Sequence, residues 1–264
     1  MYQSDNQKNY LKRIQRQRRL ILFSQVAIIF LLIFFWELLT HYGVINSFIY
    51  SSPSRIASTI KDLFLAGNLF SHIFTTIFEV LIAFILGISF GFIISVIFYE
   101  HPIIAKIFDP FLTVLNSLPK VALGPIIIII AGANTKSIII MALLINLIVS
   151  ITTIYNGFLN TDKTKIKMFT TFRATKKQIL YKLVIPSSYT TIISSLKLNI
   201  ALTLIGVITG EFLVSKKGIG YLIIYGTQVF NLDLVMSGIL LLLIISYLLY
   251  KIVVHLENKL LHKK

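Results

Sequence analysis

The chain has 264 residues, of which 56% are hydrophobic and 13% charged, with a mean hydropathy of +0.85, whereas a soluble domain of this size carries roughly 25% charged residues. A net charge of +15, from 25 Lys and Arg against 10 Asp and Glu, raises nucleic acid as a partner, but the placement of the charges described below gives them a different role and excludes it. There is no cysteine, and the five histidines (His41, His72, His101, His255, His262) lack ligand spacing, so disulfides, thiol catalysis, metal centres and haem are excluded and no cofactor is expected.

Residues 1–19 form a basic N-tail ending in LKRIQRQRRL. The apolar run 20–39 that follows is longer than a signal-peptide core and lacks a small-residue cleavage site, which predicts a retained signal anchor. Further runs at 74–98, 110–131, 137–156, 189–214 and 234–254 each reach, or nearly reach, the ~20 residues needed to cross a bilayer. The pattern predicts an all-α integral membrane protein with six transmembrane helices. Residues 20–73 hold the first helix and an outer segment, 74–254 a core interrupted by a loop at 157–186, and 255–264 a C-tail.

Six crossings put both termini on one side. With that side cytoplasmic, the N-tail, the short loop holding Lys106, the 157–186 loop and the C-tail carry 18 Lys and Arg, against 5 outside (Arg55, Lys61, Lys136, Lys216, Lys217). This bias is the positive-inside signature of a multi-pass plasma-membrane protein. In the outer segment, Pro53 and Ser54 are helix-start residues, and Ile56, Ile60, Leu63 and Phe64 follow at helical spacing, which predicts a short amphipathic helix on the outer surface.

Within the core, Gly87 and Gly91, and again Gly206 and Gly210, form Gly-x-x-x-Gly pairs that let helices approach closely. Pro119, Gly124 and Pro125 interrupt the third run. A proline inside a membrane helix frees backbone carbonyls that must find protein or water, and such broken helices line translocation paths. Asn116 and Ser117 are polar wall candidates beside the break. Glu79 and Glu211 are carboxyls inside apolar runs, expected to face the bundle interior. Glu211 is read as a packing group near the outer end of the path, with Lys197 and Asn199 as compensating or pore-facing groups.

The loop between the fourth and fifth runs crowds seven basic residues between Lys163 and Lys182 among apolar ones. Ile166, Phe169 and Phe172 recur every three residues on a first short helix. Thr175 opens a Thr-x-x-Gln capping box for a second helix, with Ile179, Leu180, Leu183 and Val184 on its apolar face and Pro186 as its end. On these residues alone three roles stand open: a cationic linker on anionic lipid, a helix-in-groove target, or a docking knob for a cytoplasmic partner.

The stretch FRATKKQILYKLVIPSSYTTIISSLKLNIALTLIGVITGEFLVSKKGIGYLI resembles the permease subunits of ATP-binding-cassette importers, in the nitrate/sulfonate/taurine branch of the binding-protein-dependent family. SPSRIASTI, FDPFLTVLNSLPKVALGPIIIIIAGAN and GEFLVSKKGIGYLI resemble further segments of that family, so the likeness spans roughly residues 50–255. The family's cytoplasmic loop begins Glu-Ala-Ala, with a glycine four residues after the last alanine and a proline thirteen residues further on. Pro186, Ile185, Leu183, Ala174 and Thr175 match it. Lys167, Met168 and Phe169 stand in place of Glu-Ala-Ala, and Arg173 in place of the glycine, where an arginine costs about 1 kcal/mol if positive φ is kept.

The resemblance implies a type I importer permease bundle whose coupling helices engage a separate ATPase. Phe169, Phe172, Arg173, Ala174, Thr175, Ile179, Leu183 and Pro186 are then the coupling residues, and Asn116, Ser117, Pro119, Pro125, Asn199 and Glu211 belong to the translocation path. It implies a solute-binding protein outside, a second permease copy, and a solute such as nitrate, a sulfonate, taurine, bicarbonate or a vitamin precursor. No G-x-x-x-x-G-K-[ST] loop occurs, GANTKS being the nearest string, so ATP hydrolysis falls to the partner and the chain is not an enzyme. The alternatives are a membrane scaffold or a polytopic membrane enzyme, but no His, Asp or Glu pair is spaced for catalysis.

Overall fold

The computed structural model describes residues 5–261. Residues 1–4 of the N-tail and His262, Lys263 and Lys264 of the C-tail lie outside the described residues. The chain is 88% helical, and no strand occurs among the described residues. Helix α1 (Asp5–His41) carries the basic tail and the first apolar run in one rod, with no break at residue 20. Its most apolar stretch buries nothing against the rest of the chain.

Short helices α2 (Ser47–Tyr50) and α3 (Pro53–Leu65) follow. Pro53 occupies the first turn of α3, where its missing N–H costs nothing, and the Ser52 hydroxyl caps the helix by accepting the Arg55 N–H. Helix α3 is lashed on two sides. Arg55 pairs with Asp233 at 2.6 Å, and the Glu37 carboxylate of α1 accepts bonds from the Ser54 N–H and hydroxyl at 3.0 and 2.7 Å. Ile56 is buried while Phe64 is exposed.

The body is a sandwich of three long helices, α4 (Leu69–Glu100), α7 (Thr135–Leu159) and α10 (Ile185–Val214), with α7 in the middle. Lipid gives no hydrophobic drive for helix association, so close backbone approach has to supply it. Both glycine pairs serve that approach. Gly87 and Gly91 lie against Asn146 and Ser150 of α7, and Gly206 and Gly210 against Ala142 and Ile138 on its other side. Asn146 donates to the Ala83 carbonyl at 3.4 Å, and the Ser95 hydroxyl donates to the Gly91 and Ile151 carbonyls. Helices α11 (Ile219–Gln228) and α12 (Leu232–Leu261) close over α10, with Lys197 of α10 paired to Glu257 of α12 at 2.9 Å.

The third run is broken where its prolines are expected to interrupt it: α5 (Pro102–Ser117) ends where Leu118 turns extended ahead of Pro119, as residues before proline do. A 3-10 turn at Lys120–Leu123 then leads into α6 (Gly124–Ala131), and the two halves meet at 94°. Helix α5 starts beside Tyr99 and Tyr155 and α6 ends beside Thr75 and Lys217, so the bent pair still links the two ends of the bundle as one broken crossing. Among the described residues, five helices are individually long and apolar enough to span, and six if this bent pair counts as one span.

One sequence expectation is corrected: Pro186 does not end a helix. It lies in the first turn of α10, which continues from the insert through a widened turn at Leu180–Val184, where the Ile185 N–H reaches the Leu180 carbonyl. A proline there would clash with the carbonyl four residues back, and the extra residue in the turn relieves that clash.

Candidate coupling surface and translocation path

The insert holds α8 (Lys163–Thr171) and α9 (Lys176–Ile179). The Asp162 carboxylate caps α8, accepting the Thr164 N–H at 2.8 Å, and that bond holds its carboxyl below the ordinary range. The cap is therefore complete at neutral pH and lost on acidification through that lowered value. Circular dichroism of the isolated chain in detergent should show a small helix loss there, absent from Asp162→Asn.

Between the helices the chain makes a Schellman turn. The Ala174 N–H donates to the Phe169 carbonyl at 3.0 Å and the Arg173 N–H to the Thr170 carbonyl at 2.9 Å. Arg173 takes φ +56°, so the left-handed bend expected of a glycine is kept with an arginine in it. Thr175 and Gln178 then form the expected capping box, with bonds of 3.3 and 2.8 Å. Because Arg173 carries the Cβ strain of that conformation, Arg173→Gly should raise the chain's stability by about 1 kcal/mol in thermal melts.

The stripe read from sequence divides at this turn. Ile166 and Phe169 pack inward with Ala174 against Ile154, Phe158, Ile179, Leu183 and Val184. Phe172 is the cap residue rather than a helical one, so it leaves the face of its neighbours and stands 77% exposed. Of the proposed coupling residues, then, Phe169, Ala174, Ile179 and Leu183 anchor the insert, Thr175 caps α9, Pro186 opens α10, and Phe172 and Arg173 project. A shallow groove beside them is lined by Phe169, Phe172, Ala174, Gln178 and Lys182.

Among the path candidates, Asn116, Ser117 and Pro119 are exposed at the α5 break and Pro125 in the first turn of α6. Lys120 was not singled out by the sequence reading. It lies half-buried at the break, its ammonium donating to the Asn116 carbonyl at 3.0 Å. The available signal was a lysine between two prolines in an apolar run.

Asn199 and Glu211, by contrast, are fully buried. Glu211 organises the opposite end from the insert. It accepts the Thr76 hydroxyl at 2.6 Å and the Gly220 N–H at 2.5 Å, while the Thr76 oxygen accepts the Ile219 N–H at 2.8 Å. His72 Nδ1 lies 3.0 Å from the Gly218 nitrogen and 3.2 Å from the Gly218 carbonyl oxygen, and His72 stacks on Tyr221. Gly218 has φ +117°, and a Cβ there would run into the Glu211 carboxyl. The 215–220 turn is thus pinned to α4 and α10. Glu79 faces Glu211 from α4, with the two carboxyls close enough to interact directly and Thr135 also in reach. Thr76 and His72 escaped the sequence reading, since neither residue type signals a role without its partners.

Comparison with known proteins agrees with this architecture. Residues 83–264 match the family described as binding-protein-dependent transport system inner membrane component. A probable ABC transporter permease protein of Haemophilus influenzae is 26% identical over 87% of this chain and 93% of its own length. The putative aliphatic sulfonates transport permease protein SsuC of Bacillus subtilis is 27% identical over 86% of this chain and 82% of its own. The formylaminopyrimidine transport permease protein ThiX of Halalkalibacterium halodurans is 27% identical over 80% and 85%. Among solved structures, the MetNI methionine ABC transporter in an inward-facing conformation aligns with a TM-score of 0.63 at 15% identity, covering 74% of this chain and 97% of that one. A family match over more than half the chain, a bundle of membrane-length helices and the same fold in a solved importer together show that this chain belongs to the binding-protein-dependent transport system inner membrane component family, as a multi-pass, non-catalytic permease subunit of an ABC importer.

Proposed function

We propose that two copies of this chain form the path for a small solute of the kind its relatives carry, a sulfonate, taurine or a pyrimidine vitamin precursor. A solute-binding protein delivers that solute outside, and a separate ATPase, which alone hydrolyses ATP, binds the insert inside. The observation that carries this is Phe172, a large apolar side chain held 77% exposed at the tip of a bend fixed on both sides by caps. Helix α9 runs into α10 without a break, so force on the insert is delivered to a helix at the centre of the bundle. Closing of the ATPase dimer would then rock the bundle between inward- and outward-facing states.

In this reading Phe172, Arg173 and the groove flank dock, with Phe169, Ala174, Thr175, Ile179, Leu183 and Pro186 supporting them. Asn116, Ser117, Pro119 and Pro125 form the path wall at the broken helix, and Asn199 and Glu211 act from behind it. Phe172→Asp should abolish ATP-driven uptake in proteoliposomes and release the ATPase, with an unchanged melting curve because the side chain touches little. Uptake at the parent rate would refute the docking role.

Both termini and the insert lie in the cytoplasm, on the evidence of the charge bias. The absence of native cysteine makes this directly testable: in intact spheroplasts an impermeant maleimide should label Lys217→Cys and leave Lys177→Cys unlabelled until the membrane is opened. The reverse pattern would invert the topology.

A further inference from the structure

We infer that Arg173 is a partner-selecting residue, matched to an ATPase whose receiving cleft carries carboxylates around an apolar slot for Phe172. This rests on the docking reading above and extends it to the chemistry of the partner's surface.

Three observations point there. Arg173 occupies the left-handed region at φ +56°, a place that glycine fills without strain. Strained residues of this kind persist where the surroundings or a function hold them. The turn's backbone bonds hold the bend for any residue, yet the Arg173 side chain is exposed and makes no hydrogen bond or ion pair among the described residues, so no contact of its own favours arginine there. Its immediate neighbour Phe172 is the most exposed aromatic of the insert. The guanidinium is thus presented beside an apolar knob, the arrangement in which a partner carboxylate would find a two-pronged donor next to a desolvating contact.

The surroundings extend the same charge. Lys163, Lys165, Lys167, Lys176, Lys177 and Lys182 are all exposed around the bend, and Asp162 is the one carboxylate of the loop, committed to capping α8. A basic cleft would repel this collar and a neutral one would desolvate it without a partner, so complementarity sets partner choice as well as attachment. An ATPase that accepts a glycine bend would leave this arginine unpaired, and this permease is expected to discriminate against it.

The test uses the complete complex. Wild-type chain is co-purified with its ATPase in mild detergent, and the ATPase retained per permease is measured from low to high NaCl for wild type, Arg173→Gly, Arg173→Lys, Arg173→Glu and Phe172→Ala. Arg173→Gly should retain about tenfold less ATPase at low salt, the loss of one charge-assisted contact, and show a flatter salt dependence, although its own melting temperature rises. Arg173→Lys should keep most of the salt dependence, and Arg173→Glu should retain none until a carboxylate of the ATPase cleft is changed to lysine. If Arg173→Gly holds the ATPase as wild type does while Phe172→Ala loses it, docking stands and the selection role is overturned. If neither variant changes retention, or wild type retains no ATPase, the docking reading fails and this inference with it. A defect of Arg173→Gly confined to uptake in bilayers containing anionic lipid, with ATPase retention intact, would assign the cation to the membrane and also overturn the proposal.

Discussion

Gly206→Ala is expected to be among the most damaging single-methyl changes in the core. A Cβ at residue 206 would lie 2.6 Å from the Cα of Ala142 and 3.1 Å from its Cβ, well inside van der Waals contact. The obstacle is backbone, so no side-chain rotation relieves it and α10 must move away from α7. That separation would weaken the contacts that hold the central sandwich, contacts that in lipid rest on close packing and not on exclusion of water. An overpacked core position costs roughly 1–3 kcal/mol, and a rigid helix pair belongs at the upper end. The melting temperature in detergent should fall accordingly and ATP-driven uptake should be lost. Gly210→Ala, where the nearest atoms of Ile138 are 3.0 Å away, should follow the same direction with a smaller effect. Equal melting of parent and Gly206→Ala would show that the two helices already slide freely.

The second large effect is expected at Glu211, with Glu79 as its control. Glu211 receives two donors, the Thr76 hydroxyl and the Gly220 N–H. Glutamine at 211 keeps one acceptor oxygen and turns an NH2 group toward the other donor, leaving a buried group unsatisfied at about 1–3 kcal/mol. The consequence is local as well as global, because the same carboxyl holds the 215–220 turn against α4. Lys216 and Lys217 are exposed on that turn, so limited trypsin digestion should cut there faster in Glu211→Gln than in the parent. Glu79 faces the Glu211 carboxyl and not the turn, and Glu79→Gln is nearly isosteric and can still donate toward that carboxyl, so its melt should stay within about 1 kcal/mol of the parent. A Glu79→Gln variant as damaging as Glu211→Gln would mean that the two carboxyls work as one unit.

The membrane class, the number of crossings, the start of α3 at Pro53, the Thr175 capping box and the resemblance that led to the family were legible in the chain itself. These features are local or compositional: a run of apolar residues, a cap three residues from its partner, a charge count along loops. The left-handed bend at residue 173 was implied by the resemblance alone, because an arginine carries no local sign of positive φ, and it is the structure that keeps it.

What the tertiary structure decided is of another kind. Phe172 belongs by spacing to the stripe of Ile166 and Phe169, but the helix stops one residue before it and the turn rotates it outward. Pro186 reads as a stop, yet a single wide turn upstream lets the helix continue, a choice dictated by the packing of Leu180, Leu183 and Val184 against Ile154 and Phe158. The cluster of Thr76, His72, Glu211 and Gly218–Gly220 joins residues more than 130 positions apart. Helical periodicity reports which side a residue takes on its own helix, and only the docking of α4 against α10 determines which hydrogen-bonding group it meets there.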